Sequence, residues 1–135
     1  MKVLEFMTSK VEYVSAEATV YDAIEKMVDL GIRSLLVRFS ANDKDDGVIT
    51  ARDVVFKVLA KNKDPKDVQV SQIASKPIIC VDPEVDIIEA SARMEASNIT
   101  RVFVSKRDKI IGFVSLMDIM AAKLIMRARG ENVSV

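Results

Sequence analysis

Two short segments carry a hydroxyl and a carboxylate at the same spacing: Gly47-Val48-Ile49-Thr50-Ala51-Arg52-Asp53 and Gly112-Phe113-Val114-Ser115-Leu116-Met117-Asp118. In each, an apolar run gives way to helix-forming residues at the hydroxyl, so Thr50 and Ser115 stand at strand-to-helix turns. The first turn of a helix has backbone N–H groups without partners, and these favour an anionic group such as phosphate. An ionised aspartate offers only acceptors, so Asp53 and Asp118 suit a ligand rich in hydroxyl donors. The same spacing is also an acidic capping box, in which the side chains satisfy the turn itself. From the motif alone capping is the commoner explanation, and the two roles are compatible.

Other chemistry is scarce. The chain has no histidine and one cysteine, Cys80, so hydrolytic triads and zinc sites have few routes open. No nucleophile–base pair or metal constellation can be assembled, and no enzymatic activity is expected. Cys80 falls on the core pattern of a strand and is expected to be an inert buried thiol. Lys plus Arg and Asp plus Glu number 20 each, which leaves no global charge to attract nucleic acid. A single cysteine suits a reducing compartment. No stretch approaches the roughly 18 apolar residues of a membrane span, and the N-terminus lacks a signal-peptide pattern. The expectation is a cytoplasmic protein off the membrane.

The elements that position these residues occur twice. Offset by 67 residues, Val11-Glu12-Tyr13-Val14-Ser15 meets Ile78-Ile79-Cys80-Val81-Asp82, Val20-Tyr21-Asp22-Ala23 meets Ile87-Ile88-Glu89-Ala90, and Met27 meets Met94. A two-residue shortening of the next loop then aligns the Gly47 and Gly112 segments. Each copy begins with a strand (Val11 to Val14 in the first). A helix follows, capped by Thr19 with Asp22 and stopped at Gly31, with a buried stripe of Val20, Ala23, Ile24, Met27 and Leu30. In the second copy Asp86 opens the helix, Ile87, Ala90 and Met94 line it, and Asn98 takes the place of Gly31.

Two strands come next, Ser34 to Phe39 and Gly47 to Ile49, answered by Arg101 to Ser105 and Ile110 to Val114. A helix closes each copy, Ala51 to about Lys61 and Leu116 to about Arg129. The crossover requires parallel strands, and the hairpin after it an antiparallel pair. Amphipathic lead-ins, Val3-Leu4-Glu5-Phe6-Met7 and Val70-Ser71-Gln72-Ile73-Ala74, precede the copies. The polar, proline-bearing stretch from Lys61 to Asp67 marks the linker. The expected division is residues 1–62, a linker at 63–69, and residues 70–135. The fold class is α/β (α+β): two βαββα repeats packed sheet to sheet about a pseudo-two-fold axis, since one repeat alone buries little surface.

This layout resembles the CBS-domain pair, named after cystathionine β-synthase, across essentially the whole chain. The resemblance rests on the lead-ins extended to Thr8 and Ser75, Val81-Asp82-Pro83, Asp22-Ala23 with Met27, and the closing Gly-x-x-Thr/Ser-x-x-Asp, all in order and twice. It implies a regulatory module binding an adenosyl compound (AMP, ADP, ATP, S-adenosylmethionine or a reduced dinucleotide) in clefts between the copies, and homodimers of such pairs. With no catalytic cofactor and no effector domain expected, the output would pass to a partner protein or through the dimer.

The resemblance also implies roles. Asp53 and Asp118 would accept hydrogen bonds from the ribose diol beside Thr50 and Ser115. Arg33-Ser34 and Thr100-Arg101 would supply phosphate contacts, with guanidinium groups suited to bidentate bonds. Arg52 could add to these, and its counterpart Met117 makes the second site less cationic, so the two sites should differ. Adenine would rest against Met7, Val11, Glu12 and Ile32 in one copy and Ala74, Ile78, Ile79 and Ile99 in the other, although core packing explains most such apolar positions equally well. The acidic loop Ser40 to Asp46 is expected to repel phosphate from one cleft. Leu36 and Phe103 stand where many relatives have proline. A ligand-free dimerisation or docking scaffold is the alternative function.

Overall fold

A computed structural model describes residues 1–130; the last five positions of the expected second copy, 131–135, lie outside the described residues. The strands are β1 (Tyr13–Ser15), β2 (Ser34–Arg38), β3 (Gly47–Thr50), β4 (Cys80–Val81), β5 (Arg101–Lys106) and β6 (Lys109–Ser115). The helices are α1 (Val20–Leu30), α2 (Ala51–Lys57), α3 (Ile87–Ala96) and α4 (Leu116–Ala128). They make two three-stranded sheets, β1-β2-β3 and β4-β5-β6. In each, the first pair is parallel and the second antiparallel, as the crossover and hairpin demand. At Leu36 and Phe103 the backbone N–H donates to Glu12 O and Ile79 O, 2.9 Å in both cases. Proline could not make that bond.

The helix signals act as expected. Thr19 and Asp22 form a reciprocal capping box, and Gly31 closes α1 at φ 65°. Asn98 holds the corresponding turn at φ 50°. The α1 stripe buries Val20, Ala23 and Met27, but Leu30 is 44% exposed because the helix ends there and turns its last residue outward. The α3 stripe buries Ile87, Ala90 and Met94. Helix α2 is shorter than expected: it stops at Lys57, and a 3-10 turn, Leu59–Lys61, carries the chain on to Asn62 at φ 57°. Cys80 is half-buried in β4 rather than sealed in the core.

The chain forms two compact units, Val11–Ile78 and Met1–Lys10 together with the segment from Ile79 onward. Each lead-in therefore folds with the other copy. In the first unit, Val70 N–H donates to Ala18 O (2.8 Å), Ser71 N–H to Ala16 O (2.9 Å) and Val20 N–H to Val68 O (2.8 Å). In the second, Val3 N–H donates to Val85 O (2.9 Å), Leu4 N–H to Pro83 O (3.1 Å) and Ile87 N–H to Met1 O (3.0 Å). These are the same bonds displaced by 67 residues. Val3 and Val70 are fully buried and belong to the core clusters of the units they join.

The end of each lead-in also covers a sheet edge. Val48 and Ser75 exchange two backbone hydrogen bonds (3.0 and 2.9 Å), as do Thr8 and Phe113 (2.9 Å each). A Cβ at Gly47 would lie 2.7 Å from Ser75 O, and one at Gly112 2.7 Å from Thr8 O. Both glycines are required by this close backbone approach, which local turn chemistry does not reveal.

Candidate functional site

Sheet register assembles each candidate site. Ser34 pairs with Thr50 across β2 and β3, and Arg101 with Ser115 across β5 and β6. Ala51 N–H donates to Arg33 O (2.8 Å), and Leu116 N–H to Thr100 O (3.2 Å). The arginine-bearing strand start thus lies beside the hydroxyl-and-carboxylate turn in both units. Thr50, Asp53, Ser115 and Asp118 are half-buried, while Arg33, Arg52 and Thr100 are exposed.

Both turns are complete capping boxes. Asp53 Oδ2 accepts from Thr50 N–H (2.9 Å) and Thr50 Oγ1 (3.0 Å), and Thr50 Oγ1 accepts from Asp53 N–H (3.1 Å). Asp118 Oδ2 accepts from Ser115 N–H (2.9 Å) and Ser115 Oγ (3.1 Å), and Ser115 Oγ accepts from Asp118 N–H (3.2 Å). The outer oxygens differ. Asp53 Oδ1 lies 3.0 Å from Lys57 Nζ, which also donates to Ile73 O at 3.1 Å. Beyond its cap, Asp118 meets the Thr8 hydroxyl, 3.4 Å from each of its oxygens, and no cation among the described residues. Neither Lys57 nor Thr8 was among the expected site residues. The i, i+4 spacing of Asp53 and Lys57 is the one sequence signal that points to the first.

The arginines differ as well. Arg101 lies over the Phe113 ring at 4.1 Å, and Arg52 over Phe56 at 5.2 Å. Such cation–π contacts hold the guanidinium plane.

The residues expected around adenine are divided between the units. Val11, Glu12 and Ile32 fall in the first unit, as do Ala74 and Ile78, which were expected with the second copy. Met7, expected with the first copy, falls in the second unit with Ile79 and Ile99. Ile32 and Ala74 pack against the first core; Met7, Ile79 and Ile99 pack against the second. An open hollow of about 550 Å³ lies in the first unit, lined by Lys57, Lys63, Asp64, Asp67, Val68, Gln72 and Ile73. None of the expected ligand residues lines it.

The acidic loop departs from expectation. Asp46 is fully buried rather than turned toward a ligand. Arg38 Nε approaches Asp46 Oδ1 at 3.0 Å without the alignment of a hydrogen bond, and its Nη2 donates a long 3.5 Å bond to Oδ2. The same guanidinium reaches Asp43 at 3.3 Å and lies 4.5 Å above the Tyr13 ring. Burial pushes the Asp46 carboxyl above the usual carboxylate range, with Arg38 opposing the shift. Asp45 accepts from Ser40 Oγ at 2.6 Å. Two of the loop's carboxylates, Asp43 and Asp46, are thus paired with Arg38. The counterparts of Tyr13, Arg38 and Asp46 in the second unit are Cys80, Ser105 and Ile111, which bring no charges to that place.

Among the described residues no group of three or more His, Cys, Asp or Glu side chains could hold a metal ion, and no helix is long and apolar enough to cross a membrane. Comparison with known proteins accounts for the duplicated architecture. The CBS domain family model matches residues 3–60 and again 70–125. An uncharacterized protein of Methanopyrus kandleri is 35% identical over 121 residues, 87% of this chain and 60% of its own length. The mitochondrial CBS domain-containing protein CBSX3 of Arabidopsis thaliana is 29% identical over 80% of this chain and 54% of its own. The chain thus spans little more than half of these two relatives. Among solved structures, a hexameric CBS-CP12 protein from bloom-forming cyanobacteria superposes with a TM-score of 0.86 at 28% identity, covering 98% of this chain and 77% of that one. With the model matched twice and nearly end to end, this chain belongs to the CBS-domain family and carries two CBS domains in tandem.

Proposed function

We propose that the chain is a regulatory module that binds an adenosyl compound, AMP, ADP, ATP or S-adenosylmethionine, and passes its occupancy to a partner protein. Family membership supports a regulatory role. The observation that carries the ligand is the Asp118 turn: a half-buried carboxylate keeps its outer oxygen beyond the needs of its own cap, beside a strand start that carries Arg101. A cis-diol supplies two donors to such an acceptor, and a guanidinium beside a helix N-terminus suits a phosphate.

Thermal unfolding with added nucleotide tests this reading. Linkage gives about 2.7 kcal/mol of stabilisation at 100 times the dissociation constant. A rise in Tm with at least one adenosyl compound is expected; none with AMP, ATP or S-adenosylmethionine would refute the ligand assignment.

The module also pairs with a second copy. Helix α4 leaves Leu116, Met117, Met120, Leu124 and Ile125 between 42 and 70% exposed, and α2 with the 3-10 turn after it leaves Val55, Phe56 and Leu59 exposed. Apolar surface of this extent on helices favours burial against another protein. The same faces support the second reading, a scaffold that only dimerises or docks, in which both capping boxes serve their helices and nothing else.

A further inference from the structure

We propose that Lys57 latches the first carboxylate shut, so that Asp118 alone takes the ribose diol in the unmodified protein. The inference rests on the adenosyl reading above and adds which copy binds and what disables the other.

The argument counts acceptors. A carboxylate offers about four lone-pair positions. Asp53 commits two of them on Oδ2 to Thr50 and a third, on Oδ1, to the Lys57 ammonium. One position is left, and a cis-diol brings two donors. Asp118 commits the same two to Ser115. Its remaining contact is the Thr8 hydroxyl at 3.4 Å, a long bond that a rotation of the hydroxyl releases. Two positions are open.

Two further observations separate the copies. Lys57 is held from two sides, by Asp53 Oδ1 at 3.0 Å and by the Ile73 carbonyl at 3.1 Å, which fixes its ammonium beside the carboxylate although the side chain is 48% exposed. Its counterpart in the second copy is Ala122, fully buried, which places no cation there. The latch is a property of one repeat.

Isothermal titration of the full chain with AMP tests the latch. The wild type should bind one AMP per chain. Asp118→Asn, which keeps an acceptor for the cap but loses one for the diol, should weaken that site roughly 10- to 100-fold. Lys57→Met, which keeps an unbranched side chain one atom shorter and removes the charge, should retain the Asp118 site and add a second. The double variant K57M/D118N should bind one AMP through the first copy, which also shows that the Asn substitution folds. Two sites in the wild type, unweakened binding by D118N, or one site in K57M would overturn the latch while leaving the sensor reading intact. No AMP bound by the wild type or by K57M would count against both, and the thermal screen with ATP and S-adenosylmethionine then decides the sensor reading.

Discussion

Gly112 lies so close to Thr8 that a single added carbon would meet the Thr8 carbonyl oxygen at 2.7 Å. The two residues come from opposite ends of the sequence, yet they are neighbours in one folded unit. Gly47 and Ser75 repeat the relationship in the other. Replacing Gly112 or Gly47 with alanine should therefore cost about 1–3 kcal/mol, the usual penalty for forcing volume into packed structure. Urea unfolding of G112A and G47A checks this; stabilities within 0.5 kcal/mol of wild type, the range of ordinary surface changes, would show that the contact yields freely.

Exchange of the lead-ins makes a second prediction. Removing residues 1–8 should loosen the unit that contains β5 and β6, because Val3 fills its core and Thr8 covers the β6 edge. Amide hydrogen exchange should accelerate there and stay slow in β2 and β3. Val3→Ala should have a milder version of the same effect, about 1–3 kcal/mol for lost methyl groups and the cavity they leave.

Much of this architecture is legible in the sequence. Thr19 with Asp22, and Gly31 answered by Asn98, mark the helix ends because capping depends on neighbours three or four residues away. The 67-residue offset exposes the duplication. Which copy a lead-in joins is not legible, since Val3 has the same local pattern whether it packs beside Val20 or Ile87. The Arg38–Asp46 pair was hidden for a related reason: an acidic loop looks solvated until a strand residue eight positions earlier folds over it. For Lys57 the spacing was visible, but not the Ile73 carbonyl that holds it.

The buried carboxylate makes stability depend on pH. With its folded pKa above the unfolded value, Asp46 binds its proton more tightly in the native state, so it favours folding at low pH, and that contribution is lost as pH rises past the ordinary Asp range. Arg38→Met removes the partner and leaves the carboxylate buried alone. It should destabilise the protein by about 3 kcal/mol at pH 7, the low end for breaking a buried pair because Arg38 itself is partly exposed. The deficit should shrink near pH 4, where protonation neutralises Asp46. Denaturation of R38M at the two pH values measures it, and a deficit independent of pH would place the loss in packing over Tyr13 instead.

Self-association should fail when the α4 face is charged. Met120 and Leu124 are 57 and 70% exposed, so lysine at both positions disturbs little of the unit's own core. Sedimentation should show a dimer for the wild type and a monomer of unchanged helicity for M120K/L124K. An oligomer that survives both substitutions would move the interface elsewhere.

The most direct test of nucleotide sensing is a residue-resolved titration by 15N NMR with AMP on the ligand-free protein. Shifts should concentrate at the amides of Ser115 to Asp118 and Ile99 to Arg101. Spectra unmoved by AMP and, in turn, by ATP and S-adenosylmethionine, or movement confined to residues remote from the Asp118 turn, would contradict the account.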